Sequence, residues 1–304
     1  NDADGNLWIV EDIGGSTVAG SNGKKPNSYV YRFVPVDRAD LTKGGTLQAL
    51  QVMRRDNTPA TAAQLSANPS DSFITDLHTY GTTLKTAWVP VHTGADALNA
   101  TASAAAANAT PFKRPENGVF RPGTNFGEFY FTETGDTNTA STLPGAFGAV
   151  FRLAQKSPSA MTGTIAPEWL GDIQHTGFDN IAFASTDSLL VVEDAGDTLH
   201  TQRNALDSGY LITVRGRAGK PERVVRWLAE GRDASATYDA TTNPGYNDGD
   251  NEITGIHVSD GDASVGGILG AKAPRLFDGS WRAFWTQQHG DNTTWEVSRS
   301  RVRD

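Results

Sequence analysis

Leu189-Leu-Val-Val-Glu-Asp-Ala-Gly-Asp197 decides the fold, because two other stretches share its design. Leu7-Trp-Ile-Val-Glu-Asp-Ile-Gly-Gly15 and Phe129-Tyr-Phe-Thr-Glu-Thr-Gly-Asp136 also run a short apolar segment into an acidic corner punctuated by glycine. An apolar run of this length bounded by turn residues reads as a buried strand. Past each corner and a variable loop comes a second strand-like run. These are Ser28-Tyr-Val-Tyr-Arg-Phe-Val34, Ala149-Val-Phe-Arg-Leu153 and Gly209-Tyr-Leu-Ile-Thr-Val214. Thr46–Val52, Arg223–Leu228 and Arg282–Thr286 add further strands. Strand pairs recurring in this way predict an all-β chain with little helix, built as a β-propeller with long insertions. About four blade-like units can be recognised. Four are few for a closed ring, so the expectation is a single propeller domain over residues 1–304 that lacks N-terminal blade sequence.

Helical periodicity is scarce. Ala60–Ala67 predicts one short helix. The Ala/Asn/Thr-rich stretch from Ala100 to Ala109 reads as a surface excursion sooner than a core helix.

Composition narrows the function. The 304 residues carry a formal net charge of -9, and no basic block of five or more residues occurs. Nucleic acid and anionic membrane surfaces are therefore poor partners. No apolar run approaches the roughly 20 residues that span a bilayer. With no Cys, disulfides, thiolate metal sites and cysteine nucleophiles are excluded. The six His are scattered without ligand spacing, which argues against zinc. Neither a Gly-x-Ser-x-Gly elbow nor a P-loop is present.

Carboxylates are what remain. Calcium takes six to eight oxygens and asks little of geometry. Glu11, Asp12, Glu133, Asp136, Glu193, Asp194 and Asp197 are the supply at the three corners. Each corner has a plainer reading, since Asp and Gly make turns wherever strands end. Asp248, Asp250 and Glu252 alternate before a strand but lack the Gly and Glu of an EF-hand loop. In Arg114-Pro-Glu116 the proline favours an extended Arg114, so that guanidinium and carboxylate project to one side. Beside a metal such a pair suits phosphate; otherwise it is a surface ion pair.

Several of these segments, in order, resemble the PhoX-type alkaline phosphatases. They are Trp8-Ile-Val-Glu-Asp with Tyr29–Val34, Arg114-Pro-Glu116, Phe178-Asp-Asn-Ile-Ala182 with Leu189–Asp194, Glu252-Ile-Thr-Gly255, and Trp285-Thr-Gln-Gln-His-Gly290. The resemblance implies a propeller whose central funnel holds calcium together with iron and hydrolyses small phosphate esters. It implies metal ligation by Glu11, Glu116 and Glu252, with Asp179 and Glu193-Asp194 completing the acidic funnel. It makes Arg114 the phosphate-binding, transition-state-stabilising residue. A secreted or periplasmic location goes with it. The family's iron site uses a Cys upstream of the acidic strand end, and this chain has none. Two other readings fit the residues: a calcium-dependent lactonase of the gluconolactonase-like propeller type, and a calcium-stabilised propeller without catalysis.

Overall fold

In the computed structural model, residues 1–195, 199, 202–214, 219–230, 252–259, 282–288 and 293–297 are described. Eight antiparallel strands form the first sheet: β1 (Leu7–Val10), β2 (Val30–Pro35), β3 (Gly45–Val52), β4 (Leu84–Gly94), β5 (Pro115–Phe120), β6 (Glu128–Glu133), β7 (Ala149–Gln155) and β8 (Thr162–Leu170). Their order is β1-β2-β3-β4-β8-β7-β6-β5, with β1 lying beside β5, so the sheet nearly closes on itself. It is two four-stranded halves, hinged at their outer edges where Leu84–Ala87 pairs with Thr162–Ile165. A second sheet runs β12-β11-β10-β9, from β9 (Phe178–Ser185), β10 (Ser188–Glu193), β11 (Asp207–Thr213) and β12 (Val224–Glu230). A third joins β13 (Glu252–Ser259), β14 (Arg282–Gln288) and β15 (Thr294–Val297). The fold is all-β and propeller-like.

The packing explains the apolar runs. Along β6, Phe129 and Phe131 face the core shared with β1–β4, while Tyr130 faces the core shared with the second sheet. Along β10, Leu189 and Val191 join that same core, while Leu190 and Val192 join the next one, against β13 and β14. A strand alternates its side chains between two faces. Where a blade is covered on both, polar alternation disappears and the run becomes continuously apolar. Leu189–Val192 is such a run.

Of the helices, α1 (Ala62–Ala67) falls where expected, and α2 (Ser72–Leu77) follows it. The stretch expected to be a surface excursion carries a helix, α3 (Ala100–Ala106), with one residue, Ala104, buried. Alanine has the highest helix propensity, and the Asn99 side chain caps the first turn by accepting from Ala102 N at 2.9 Å. Its Ala104 is fully buried against Tyr29 and Tyr31.

One consequence of the topology positions the site. Strands β5, β9 and β13 are neighbours and open their respective sheets. Pro115 at the start of β5 pairs with Glu133 at the end of β6, and Phe178 at the start of β9 pairs with Glu193 at the end of β10. The entries of β5 and β9 therefore share a rim with the acidic strand ends.

Candidate active site

Six of the eight expected residues come together on this rim: Asp12, Arg114, Glu116, Asp179, Asp194 and Glu252. Arg114 Nε donates to Asp12 Oδ1 at 2.8 Å and Nη2 donates to Oδ2 at 3.4 Å. The same Nη2 lies 3.6 Å from Glu116 Oε2. Among the described residues no hydrogen bond engages Arg114 Nη1. The expected extended backbone at Arg114 is not what the structure has. Its φ is +60°, in the left-handed region that non-glycine residues seldom enter. Pro115 restrains the residue before it, yet Arg114 keeps this conformation, with its carbonyl accepting from Thr134 N at 2.9 Å and its side chain paired with Asp12 and Glu116. Strain of this kind costs on the order of 1–3 kcal/mol and concentrates where a side chain must be aimed.

Charge in the cluster is out of balance, with five carboxylates facing one guanidinium. Burial pushes the Glu116 carboxyl up to about 8, reinforced by the charge of Asp12 and a hydrogen bond to it. Glu252 is likewise pushed up to about 8, by burial and then by Asp194, Asp207 and Glu116. Asp179, 2% exposed, is raised well above the carboxylate range by burial and the charges of Glu116, Asp194 and Glu252. Asp12 alone is lowered: burial opposes its charge, but the bond and charge of Arg114 outweigh it. Carboxylates gathered without cations keep their protons, because like charges at short range cannot all ionise.

Neutral groups fix this cluster in place. The Asn180 side-chain amide donates to Asp179 Oδ1, while Asn180 Oδ1 accepts from Gly255 N at 2.5 Å, tying β9 to β13. Gln288 Nε2 donates to Glu252 Oε2 at 3.3 Å. Thr134 Oγ1 donates its one proton to Phe178 O at 3.1 Å and lies 3.5 Å from Glu116 Oε2.

Glu11 and Glu193 are in different company. Glu11 accepts from Tyr29 N at 3.1 Å, Tyr31 Oη at 3.2 Å and Thr101 Oγ1 at 2.6 Å. Glu193 is fully buried and takes both nitrogens of the Arg203 fork at 3.1 Å each. It also accepts from Thr176 N at 2.9 Å and Ser208 N at 3.1 Å, so both its oxygens are doubly engaged. The middle corner is more than a turn. Glu133, 1% exposed, accepts from Lys113 N at 2.6 Å and pairs with His78 Nε2 at 2.6 Å. Asp136 binds Lys113 Nζ at 2.9 Å and accepts from Ser141 Oγ at 2.6 Å.

Among the described residues, no group of three or more His, Asp or Glu side chains is placed so as to hold a metal ion outright. The donor chemistry nevertheless fits a hard cation. All five carboxylates offer oxygen, and the proton affinities of Glu116, Asp179 and Glu252 are raised in part by the carboxylates around them, a repulsion that a divalent cation would relieve. Asp197, Asp248, Asp250, His289 and Gly290 lie outside the described residues.

Sequence reasoning missed two residues on this rim. Asn180 stood inside a quoted segment, but nothing in the pattern distinguished its amide from any turn-forming Asn. Lys24 lies in Gly-Lys-Lys, which carries no motif. Yet Arg114 and Asp12 both act on its ammonium.

A family model described as "Alkaline phosphatase PhoX" matches residues 19–268. No curated protein and no solved structure matches the chain.

Proposed function

The chain belongs to the PhoX alkaline phosphatase family, and from that premise we propose that the rim cluster is a calcium-dependent centre for phosphate-ester hydrolysis. One observation carries the reading: a single guanidinium, held in a strained backbone, is aimed into five carboxylates that it cannot neutralise. Glu116, Asp179, Asp194 and Glu252 would hold calcium; no residue of the chain offers the thiolate through which the family holds iron. When bound, calcium supplies positive charge and Lewis acidity at the phosphoryl oxygens.

Arg114 binds the phosphate. Its planar fork suits two oxygens at once, and Nη1 is the donor that Asp12 and Glu116 leave unused. Asp12 positions the guanidinium without consuming all its donors. The Asp179 carboxylate is oriented by Asn180, and that of Glu116 lies beside Thr134, so the acidic oxygens converge with little freedom. Charge fixed in advance stabilises a transition state more effectively than charge that must reorganise.

Glu11 and Glu193 are read as scaffold. A cation at Glu193 would have to displace Arg203 and strand a buried guanidinium, which costs more than the new contact returns. A secreted or periplasmic setting, where calcium is plentiful, suits the reading.

The test is hydrolysis of 4-nitrophenyl phosphate by protein first stripped with chelator and then reloaded with calcium. Turnover should vanish and return, and Glu116→Gln should weaken calcium binding by titration calorimetry. Full activity in the stripped protein, or unchanged calcium affinity in the variant, would overturn the assignment.

A further inference from the structure

The hairpin between β1 and β2 brings a second cation to the rim. Its arms are locked together: Lys25 N donates to Ser16 O at 3.0 Å, Val18 N donates to Gly23 O at 2.8 Å, and Thr17 bridges Lys24. A Cβ on Gly15 would lie 1.8 Å from Lys25 O, so only glycine lets the returning arm pass this close. The outgoing arm rests on the site, since a Cβ on Gly14 would touch Arg114 Cδ at 4.0 Å. Lys24 lies on the returning arm, near enough for the Arg114 charge to act on its ammonium.

Its carboxylate neighbour does not neutralise it. Asp136 accepts from Lys24 through the backbone N at 2.9 Å, but its charge is paired with the buried Lys113 ammonium. Among the described residues the Lys24 ammonium has one polar partner, the Thr137 hydroxyl at 3.0 Å. Burial and the Arg114 charge both depress its proton affinity, against weaker support from Asp136 and Asp12. Two cations that repel each other across this rim, each with donors to spare, make a place for an anion.

Resting on the phosphatase reading, we propose that Lys24 is a second phosphate contact, whose ammonium takes the extra charge of a phosphomonoester dianion. A diester monoanion presents one fewer charged oxygen and gains less from it. Lys24 is thus a specificity residue, favouring monoesters over diesters.

The experiment compares calcium-loaded wild type with Lys24→Gln and Lys24→Arg on 4-nitrophenyl phosphate and bis(4-nitrophenyl) phosphate. Lys24→Gln should raise KM for the monoester about 10-fold, the worth of one charge-assisted contact. Its kcat should hold within about twofold, diester KM should not move, and Lys24→Arg should restore monoester KM. Equal changes on both esters, or none on either, would overturn the proposal. Binding of inorganic phosphate, measured by calorimetry on the same proteins, needs no turnover. If wild type hydrolyses neither ester, the phosphatase reading fails, while a weaker phosphate affinity in Lys24→Gln alone still supports the contact and an equal one overturns it.

Discussion

Arg203 and Arg114 both sit among carboxylates at acidic strand ends, and the two sites are built on opposite principles. Around Arg203 the charges are paired, although its Nε finds no hydrogen-bond partner among the described residues. Its side chain is fully buried, Glu193 grips it with two oxygens, Asp207 stands 3.6 Å away, and backbone amides fill the remaining acceptor positions of Glu193. Around Arg114 the charges do not balance: its side chain keeps 20% exposure, its backbone is strained, and the neighbouring carboxyls outnumber it. A balanced buried network holds a fold together, whereas an unbalanced one keeps binding capacity in reserve. On the proposed reading the same residue types serve as a rivet in one corner and as a receptor in the other.

The contrast is broken most forcefully at the rivet. Arg203→Leu leaves the buried Glu193 charge without its partner, and losing one member of such a pair costs about 3–5 kcal/mol. Urea unfolding should show the loss, and the protein that remains folded should bind calcium as wild type does. At the receptor the outcome reverses. Arg114→Ala should lower kcat on 4-nitrophenyl phosphate by about 10²–10³, the usual consequence of deleting one transition-state donor. Its stability in calcium should change little, because the arginine contributes to binding more than to packing. A variant pair in which both effects fell on the same property would erase the distinction.

Little in the sequence separates these two corners. Glu11-Asp12 and Glu193-Asp194 are the same dipeptide at the end of similar strands. What differs lies elsewhere in the chain: Arg203 arrives ten residues after Glu193, while Thr176 N comes from the entry of β9. For Glu11, Thr101 comes from a helix that low-complexity composition concealed. The strands themselves were legible, because burial on both faces writes itself as continuous apolar runs. So was the gathering of Arg114, Glu116, Asp179, Asp194 and Glu252, through their order along the family resemblance. The backbone at Arg114 was not, since the rule for residues preceding proline concerns local sterics, whereas the conformation here goes with tertiary bonds of both its carbonyl and its guanidinium. Lys24 was hidden for a related reason: its company is set by a hairpin closing, which spacing alone does not reveal.

A smaller effect sharpens the receptor side. In the folded, calcium-free protein Glu116 and Glu252 hold their protons up to about 8, whereas the unfolded chain releases them near 4.5. Between those values the folded state binds more protons, so stability falls as pH rises and levels off above about 8. The melting temperature of chelated protein should therefore drop steadily from pH 5 to pH 8. Saturating calcium should flatten the profile. A chelated protein whose melting is level across this range would mean the cluster carries no charge surplus.

Glu11 tests where the boundary between rivet and receptor runs. It has the sequence of a ligand source but three neutral donors, and neutral donors are cheaper to give up than Arg203. Thr101→Val removes one of them without changing shape greatly. If Glu11 is scaffold, stability falls by about 1 kcal/mol, the ordinary worth of a net hydrogen bond. Calcium affinity and turnover then stay at wild-type values, because Thr101 reaches no other residue of the rim cluster. If Glu11 instead shares in the ion, releasing it from Thr101 alters calcium affinity, and the glutamate moves to the receptor side. Calcium titration of this one variant, read beside its urea midpoint, assigns Glu11 to one side or the other.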